Sequence, residues 1–184
     1  MQIIKYALVA ATTLAFVNPL APSAGVSPGI SVLLTDSVHL VLGKRVGLIT
    51  NHTGRDERGR SSIDLLHDAP GVRLVALFSP EHGIRGTAEG GARIASSVDK
   101  KTGVPIYSLY GKTLAPTRDM LEKIDVLLYD IQDVGARGYT YVWTMTLAAE
   151  AAHRAGVPFI VLDRPNPIRA DIIEGSGIEK RYRS

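Results

Sequence analysis

The stretch Leu77-Phe78-Ser79-Pro80-Glu81-His82-Gly83 decides the fold, because an apolar run ends there and is followed directly by a carboxylate and an imidazole. Two later apolar runs end in a similar way. Val126 to Ile131 continues into Gln132-Asp133-Val134-Gly135-Ala136-Arg137, and Phe159 to Leu162 continues into Asp163-Arg164-Pro165-Asn166. If these runs are parallel strands of one sheet, their carboxyl ends lie along one edge, where open α/β sheets bind ligands. The sequence therefore predicts a site at that edge.

The rest of the chain alternates apolar runs with helical patterns. Strands are predicted at 45–50, 72–78, 106–109, 126–131 and 159–162, and helices after Ser61, from Thr117 and over 139–155. Strands that are nearly all apolar and alternate with amphipathic helices are typical of a parallel sheet. We predict an α/β domain, a parallel sheet with helices on both faces.

Two connections carry more specific predictions. Ser61 and Asp64 are three residues apart, the spacing of a capping box, and precede Leu65 and Leu66 of the predicted helix. The segment 80–103 is polar and rich in glycine, and it has too few apolar residues for a regular element. Long loops of this kind are often functional, so we expect it to belong to the site.

The composition excludes several classes of function. The 184 residues suit one domain, and no cysteine is present to form a disulfide or a zinc–thiolate site. The net charge is +3 and the basic residues are scattered, so nucleic-acid binding gains no support. Neither a Gly-x-Gly-x-x-Gly turn after the first strand nor a Gly-x-Ser-x-Gly elbow occurs, which argues against dinucleotide binding and a serine nucleophile.

Residues 1–24 have the pattern of a secretory signal peptide. Lys5 precedes the apolar run Tyr6 to Val17, and small residues and prolines follow through Ala24. The run is shorter than the roughly 20 residues that a membrane-spanning helix requires. We therefore expect an exported protein, periplasmic or extracellular, with a mature domain at 25–184 and no stable membrane insertion after removal of the signal.

Glu81 and His82 each admit two interpretations. A carboxyl group shielded in a cleft has a raised pKa and can act as a general acid or base near neutrality, which makes Glu81 a catalytic candidate. Alternatively, Glu81 caps a turn or pairs with Arg85. His82 either orients Glu81 or binds substrate, or it is a loop histidine bonded to backbone.

The later strand ends leave similar alternatives. Asp130 and Asp133 point to opposite faces of an extended segment, so we expect one to face the cleft and the other to fix the turn or pair with Arg137. Tyr139 and Tyr141 offer faces for sugar stacking, or they belong to the core. Asp163 and Arg164 provide either a structural ion pair or ligand contacts. We assign Trp143, the only tryptophan, to core packing.

Four ordered motifs resemble the bacterial exo-β-N-acetylmuramidase family, which was long catalogued only as a domain of unknown function. The motifs are Gly43 to Asn51, Leu77 to Gly86, Asp130 to Arg137 and Leu162 to Pro167. The likeness runs from about Ile30 to the last residue. Four motifs in the same order argue against a chance match.

This resemblance implies a glycoside hydrolase that removes N-acetylmuramic acid from the non-reducing ends of peptidoglycan strands, with a Rossmann-like amino-terminal domain. Glu81 matches the family's proposed catalytic glutamate. The matching positions that would line or brace the cleft are Asn51, His82, Asp130, Gln132, Asp133, Arg137, Tyr139 and Asp163. Because a guanidinium binds carboxylates bidentately, we hypothesise that Arg137 binds the lactyl carboxylate of the sugar. No metal or other cofactor is implied, and the expected partner is a peptidoglycan glycan or a muramyl disaccharide.

The resemblance also implies a second, carboxyl-terminal domain that lies outside these 184 residues and completes the site with a partner glutamate. Glycoside hydrolysis ordinarily uses two carboxyl groups, roughly 5–5.5 Å apart for retention or 6.5–9.5 Å for inversion. We therefore expect little or no muramidase activity from the 184 residues alone. Two alternatives are a non-catalytic exported remnant that binds cell-wall glycan, and a metal-dependent hydrolase with His82, Asp130 and Asp133 as ligands.

Overall fold

The apolar runs form a central sheet in the computed structural model, which describes residues 26–80, 83–85, 97–168 and 171–182. The strands are β1 (Arg45–Thr50), β2 (Arg73–Ser79), β3 (Ser97–Val98), β4 (Pro105–Ser108), β5 (Val126–Asp130) and β6 (Phe159–Val161). Their order is β3-β4-β2-β1-β5-β6, and every pair is parallel except β3 with β4. The predicted parallel sheet is confirmed. The short antiparallel strand β3 lies in a segment that was predicted to be loop.

The helices of the described ranges lie between the strands, as the pattern predicts. They are α1 (Gly29–Thr35), α2 (Ser62–Asp68), α3 (Arg118–Leu121) and α4 (Tyr141–Ala155), with 3-10 turns at Val38–Leu40 and Lys180–Tyr182. Helix α4 stops at Gly156, whose φ of 70° is the left-handed conformation that closes a helix. Helix α1 was not predicted. None of these described helices combines the length and hydropathy needed to cross a bilayer.

Two apolar clusters cover the two faces of the sheet. On one face, Val46 and Leu48 of β1 pack in a cluster that includes residues of α1 and α2. On the other face, Ile49 of β1 packs in a cluster that includes residues of α3 and α4. Because side chains alternate along a strand, a nearly continuous apolar run fills both clusters. The prediction of helices on both faces is confirmed.

Helix α4 packs against the sheet mainly through its alanines. Its fully or nearly buried residues are Ala148, Ala151 and Ala152, whereas Val142 is 46% exposed. Trp143 is 52% exposed, so its assignment to core packing is wrong. The small alanine side chains allow the helix to lie against the sheet, and in its first turn Val142 and Trp143 lie at the surface while Tyr141 packs against the core.

The strand order fixes where a ligand site belongs. The chain leaves β1 toward β2 and β4 on one side, and returns through β5 and β6 on the other. This is a doubly wound arrangement, in which ligands bind outside the carboxyl ends of the strands near the point where the order reverses. That point lies between the ends of β1 and β5.

Candidate active site

The polar segments that follow the strands meet at one edge of the sheet, as the sequence predicts. Thr50 at the end of β1 lies opposite Asp130 at the end of β5, and Asp163 follows β6 at the same edge. Glu81 and His82, the predicted catalytic acid and its neighbour, lie outside the described residues. The described chain on either side of them ends at 80 and resumes at 83.

Asp130 is a fully buried carboxylate in an ion pair. Arg164 donates from Nε to Oδ1 at 2.5 Å and from Nη2 to Oδ2 at 3.1 Å, and the Ser62 hydroxyl also donates to Oδ2. The Arg164 side chain is only 9% exposed. A carboxylate removed from water needs such partners, because an unpaired buried charge is very costly. Asp130 therefore braces the edge and does not face the cleft. Arg164 forms a structural ion pair, but its partner is Asp130 and not Asp163.

Gly54 lies against this ion pair, where no larger residue fits. A Cβ atom at this position would lie 2.2 Å from Thr50 Oγ1 and 2.9 Å from the Asp130 carbonyl oxygen. Those two atoms are themselves joined, since the Thr50 hydroxyl donates to that carbonyl at 2.7 Å. The first turn after β1 thus passes directly over the end of β5.

Hydrogen bonds fasten the turns after β1, β5 and β6 to one another. Asn51 Oδ1 accepts from the Thr53 N–H at 2.9 Å and from the Thr53 hydroxyl at 2.6 Å. The Thr53 Oγ1 in turn accepts from the Gln132 N–H at 2.9 Å. Gln132 Nε2 donates to the Asp133 carbonyl at 2.8 Å and to the Pro165 carbonyl at 3.0 Å. Asn51 and Gln132, both predicted as site residues, hold the turns in place.

Two buried polar atoms at this edge have no hydrogen-bond partner in the part of the chain that the structure describes. They are Asn51 Nδ2, a donor, and Asp133 Oδ2, an acceptor. The other carboxylate oxygen of Asp133 accepts from the Gly135 N–H at 2.6 Å, which confirms that this aspartate fixes the turn. Buried polar atoms are nearly always paired, and the exceptions often belong to functional sites. Within the described residues, the Nδ2 atom of Asn51 and the Oδ2 atom of Asp133 at this edge therefore lack a hydrogen-bond partner.

The remaining predicted residues lie at the exposed part of the edge. Arg137 Nη2 donates to the Ser176 carbonyl at 2.7 Å, and neither aspartate of the 130–133 segment pairs with it. The Tyr139 ring is 46% exposed and meets the Tyr141 ring edge-on, with centroids 6.3 Å apart. Tyr139 is thus available for stacking rather than buried in the core. Asp163 is exposed, and its Oδ1 accepts from the next backbone N–H at 2.9 Å.

A bidentate ion pair joins the two described segments on either side of residues 86–96. Arg85 donates from Nε and Nη2 to the two oxygens of Asp99, each at 2.8 Å. Asp99 is 4% exposed and also accepts from the Thr102 N–H and hydroxyl. The hydrogen bonds from Arg85, and then those from Thr102, lower the pKa of Asp99 to about 2.

Asp64 extends this network to α2. Its oxygens accept from Arg85 Nη2 at 3.3 Å and from Lys101 Nζ at 2.7 Å. The predicted N-cap is confirmed, because Ser61 Oγ accepts from the Ile63 N–H at 3.3 Å, but the Asp64 side chain is engaged with these cations instead of closing a capping box. With two aspartates bound to Arg85, the alternative in which that arginine pairs with Glu81 gains no support.

An open cleft of about 760 Å³ lies beside the edge, against α1, α2 and residues 83–85. Leu34, Val38, Leu65 and Ile84 supply apolar wall, and the charged or ionisable lining consists of His52, Arg55, Arg60, Asp64, Asp68, Arg85 and Lys101. The volume falls within the roughly 300–1,000 Å³ typical of small-molecule sites. Its mixture of apolar and charged walls suits a ligand that has both kinds of surface.

The contacts of Asp130 argue against its use as a metal ligand. Both of its oxygens are occupied by Arg164 and Ser62, so a cation at this carboxylate would have to displace a guanidinium. Within the described ranges, no group of three or more His, Cys, Asp or Glu side chains is arranged to hold a metal ion. His82, the third ligand of the metal alternative, lies outside those ranges.

Several residues that shape the site were missed by sequence reasoning. Thr53 and Ser62 gave no signal, because small hydroxyl residues in turns are common and their partners lie 79 and 68 residues away. Arg55 was missed because it lies in a polar turn and the residue that binds its carbonyl, Arg164, is 109 residues away. The role of Arg85 was detectable only as an arginine four residues after Glu81, without its aspartate partners.

The fold defines a Rossmann-like α/β domain, with an open cleft beside α2 and the segments that follow β1 and β2. Residues 46–184 match the family model described as exo-β-N-acetylmuramidase NamZ, N-terminal, so the chain belongs to that family. The resemblance found in the four sequence motifs is therefore confirmed.

Two kinds of relative agree with this membership. The chain is 52% identical over 167 residues to the peptidoglycan β-N-acetylmuramidase NamZ of Bacillus subtilis (strain 168), a match covering 91% of this chain and 40% of that protein. A crystal structure of a DUF1343 family protein from Bacteroides fragilis superposes with a TM-score of 0.76 at 53% identity, covering 85% of this chain and 39% of the other. A second DUF1343 family protein from Bacteroides fragilis superposes with a TM-score of 0.63 at 35% identity, covering 77% of this chain and 35% of the other. The chain thus spans about two-fifths of the length of these relatives.

Proposed function

We propose that this chain is the acid-bearing domain of an exo-acting glycoside hydrolase that releases N-acetylmuramic acid from the non-reducing ends of peptidoglycan strands. The observation that carries the proposal is the 52% identity to a peptidoglycan β-N-acetylmuramidase across 91% of the chain. The cleft beside the strand ends supports it, since a sugar presents both an apolar face and many hydroxyl groups.

Glu81 is the residue to which we assign proton donation to the leaving oxygen. In the sequence it follows directly on Pro80 and on Ser79, the last residue of β2. A glutamate protonated near neutrality in such a place can act as a general acid. His82 is assigned to orienting this carboxyl group or to binding substrate.

The neighbouring residues are assigned to substrate contact or support according to their burial. Asn51 and Asp133 are assigned to support, because their Oδ1 atoms hold the turns and their Nδ2 and Oδ2 atoms are buried. Tyr139 provides an exposed ring for stacking, and Asp163 an exposed carboxylate. Asp130 and Gln132 support the turns, because their polar atoms are bound to other parts of the edge.

The second carboxyl group of the mechanism is assigned to a part of the enzyme outside these residues. Hydrolysis of a glycosidic bond uses a pair of carboxyl groups, one on each side of the bond. The relatives are more than twice as long as their match to this chain, which leaves room for a second domain that completes the site. On this view the complete enzyme, and not the 184 residues alone, carries the activity.

Export is part of the proposal, because peptidoglycan lies outside the cytoplasmic membrane. Residues 1–24 would direct the chain to the periplasm or the cell exterior and would then be removed, and the released amino sugar would enter cell-wall recycling. Mass spectrometry of the protein recovered from its host should give an amino terminus close to residue 25. An amino terminus at Met1 would contradict this part of the proposal.

A chimera tests the activity directly. This chain would replace the matched two-fifths of the Bacillus subtilis relative, and release of N-acetylmuramic acid from a synthetic muramyl disaccharide would be measured. We expect activity that falls by about 10²–10⁴-fold in Glu81→Gln, the usual contribution of a general acid. Glu122→Gln, an exposed glutamate that follows α3, is the matched control and should leave the rate unchanged.

The same chimera separates the binding-module alternative from the enzyme. If the folded chimera and its Glu81→Gln variant bind the disaccharide equally well and neither turns it over, the chain is a non-catalytic glycan-binding domain. Full activity of Glu81→Gln would contradict the assignment of the acid.

A further inference from the structure

The cleft contains one arginine whose charge is not used by the described part of the protein. Arg85 and Lys101 are paired with aspartates, and Arg60 is paired with Asp56 at 2.7 Å. Among the described residues, no carboxylate lies within ion-pair distance of Arg55. Within the described ranges, the Arg55 guanidinium is therefore a cation without an ion-pair partner, in a cleft that Asp64 and Asp68 also line.

Backbone contacts hold the Arg55 guanidinium in a fixed place. Its Nε donates to the His52 carbonyl at 2.8 Å, and its Nη1 donates to the Gly59 carbonyl at 2.8 Å. The Nη2 atom has no hydrogen-bond partner in the described part of the chain. A guanidinium oriented in this way loses little further freedom when it binds an anion.

The main chain of Arg55 is tied to the buried ion pair at the sheet edge. Its carbonyl accepts from Arg164 Nη2 at 2.7 Å, and the same Nη2 donates to Asp130. The position of the arginine in the cleft is thus set by the most buried charged group of the edge. This is the arrangement expected of a preorganised binding residue.

We propose that Arg55 binds the lactyl carboxylate of N-acetylmuramic acid and so determines the preference for muramic acid over glucosamine. The inference rests on the proposed function and names a residue for its substrate. The Nη2 atom of Arg55, which has no partner among the described residues, can form a charge-assisted hydrogen bond with a carboxylate. Leu65 and Ile84 supply apolar cleft wall for the lactyl methyl group and the sugar face.

Arg55 replaces Arg137 in this role. Arg137 does not line the cleft, and its Nη2 is bound to the Ser176 carbonyl. The sequence favoured Arg137 because it follows an apolar strand in a recognised motif, whereas Arg55 lies in a polar turn. Because Arg55 lines the cleft and Arg137 does not, the structure favours Arg55.

The test compares three ligands by isothermal titration calorimetry on the chimera with the Bacillus subtilis relative, in which the second domain completes the site: N-acetylmuramic acid, its lactyl methyl ester, and N-acetylglucosamine. The ester retains the sugar and the ether but lacks the charge. We expect the wild type to bind the free acid at least about tenfold more tightly than the other two ligands, the ratio that one hydrogen bond to a charged group provides. Arg55→Ala and Arg55→Gln should remove this preference, and Arg55→Lys should retain part of it.

Two variants make the result specific. Arg58→Ala changes an exposed arginine of the same turn that does not line the cleft, and it should keep the full preference. Arg55→Gln retains a side-chain donor for the carbonyls of the turn, so a loss of preference in both Arg55→Ala and Arg55→Gln is not a loss of folding. Circular dichroism of each variant checks this directly.

The outcomes separate the inference from the proposed function. A preference that survives both Arg55→Ala and Arg55→Gln, or that disappears in Arg137→Ala instead, overturns the role of Arg55 and leaves the muramidase proposal standing. Equal binding of the acid and its ester by the wild type would also overturn the role of Arg55 and leave the muramidase proposal standing. If the wild type binds none of the three ligands, the proposed sugar site itself fails, and the inference fails with it.

Discussion

The two ends of the β1–β5 pair are both fastened by an arginine and an aspartate, yet the two ion pairs differ greatly in burial. At the amino end, Arg45 Nη2 lies 2.7 Å from Asp125 Oδ1, and the two side chains are 38% and 40% exposed. At the carboxyl end, Arg164 and Asp130 are 9% and 0% exposed. The same chemical pair is thus solvated at one end and removed from water at the other.

This difference distinguishes a structural end of the sheet from a functional one. An exposed ion pair costs little to form and contributes little, whereas a buried one carries a large desolvation cost that its partners must offset. At the carboxyl end those partners are the Ser62 hydroxyl, which donates to Asp130, and the Arg55 carbonyl, which accepts from Arg164. The same end holds the unpartnered atoms of Asn51 and Asp133. The buried ion pair, with its large desolvation cost, therefore lies at the end of the sheet where we place the substrate.

The largest expected effect comes from breaking the buried pair. Arg164→Ala leaves the Asp130 carboxylate buried without its main partner, and we expect a loss of about 3–5 kcal/mol in the free energy of unfolding. Urea denaturation followed by circular dichroism measures this loss. The double variant Arg164→Met with Asp130→Leu removes both charges and should recover most of it.

The contrast between the two ends of the sheet would be wrong if the exposed Arg45–Asp125 pair contributed as much to stability as the buried Arg164–Asp130 pair. A loss for Asp125→Ala that equals the loss for Arg164→Ala would show that burial does not distinguish the two ends of the sheet.

A second prediction concerns the close approach of the first turn to β5. Gly54→Ala places a methyl group 2.2 Å from Thr50 Oγ1, so the turn must shift, and we expect a loss of about 1–3 kcal/mol in the free energy of unfolding. Gly138→Ala is the matched control, because nothing lies within 4 Å of a Cβ at that position. Equal melting temperatures for the two variants would contradict the tight packing at the carboxyl end.

Much of this arrangement follows from the sequence, and the rest depends on contacts between distant residues. Apolar runs located five of the strands, and the polar residues after them located the site edge. The burial of Asp130 could not be predicted, because its partners Ser62 and Arg164 are 68 and 34 residues away. Trp143 was misplaced because a helix pattern rich in alanine does not show which face the alanines cover.

A third prediction uses pH to separate two aspartates with similarly low pKa values. Asp99 and Asp125 each have a pKa of about 2, below the ordinary 3.8, because of hydrogen bonds from Arg85 and Arg45 respectively. A lowered pKa in the folded state stabilises the protein above about pH 4, and this stabilisation is lost as the pH falls toward 2. For the buried Asp99 we expect this to amount to about 2 kcal/mol.

Asp99→Asn should therefore reduce the loss of stability between pH 4 and pH 2 more than Asp125→Asn does, since Asp125 is exposed and its pairing is weakened by solvent. Urea unfolding at both pH values gives the two differences. A larger reduction in Asp125→Asn would reverse the ranking of the two networks.

The smallest expected effect is at the amino end itself. Arg45→Ala should cost less than about 1 kcal/mol of unfolding free energy, and 1 M NaCl should remove most of that cost by screening. Arg164→Ala should keep its full effect in the same salt. A salt-independent loss in Arg45→Ala would mean that the amino-end pair is less solvated than its exposure indicates.

The central claim, that the carboxyl edge of the sheet is a muramic acid site, is tested most directly by an NMR titration of the 15N-labelled chain with N-acetylmuramic acid. The account predicts that amide shifts concentrate at Asn51 to Arg55, Gly83 to Arg85 and Asp130 to Asp133, while Arg45 and Asp125 at the opposite edge stay unchanged. Shifts centred on Arg45 and Asp125 at the amino end would contradict it.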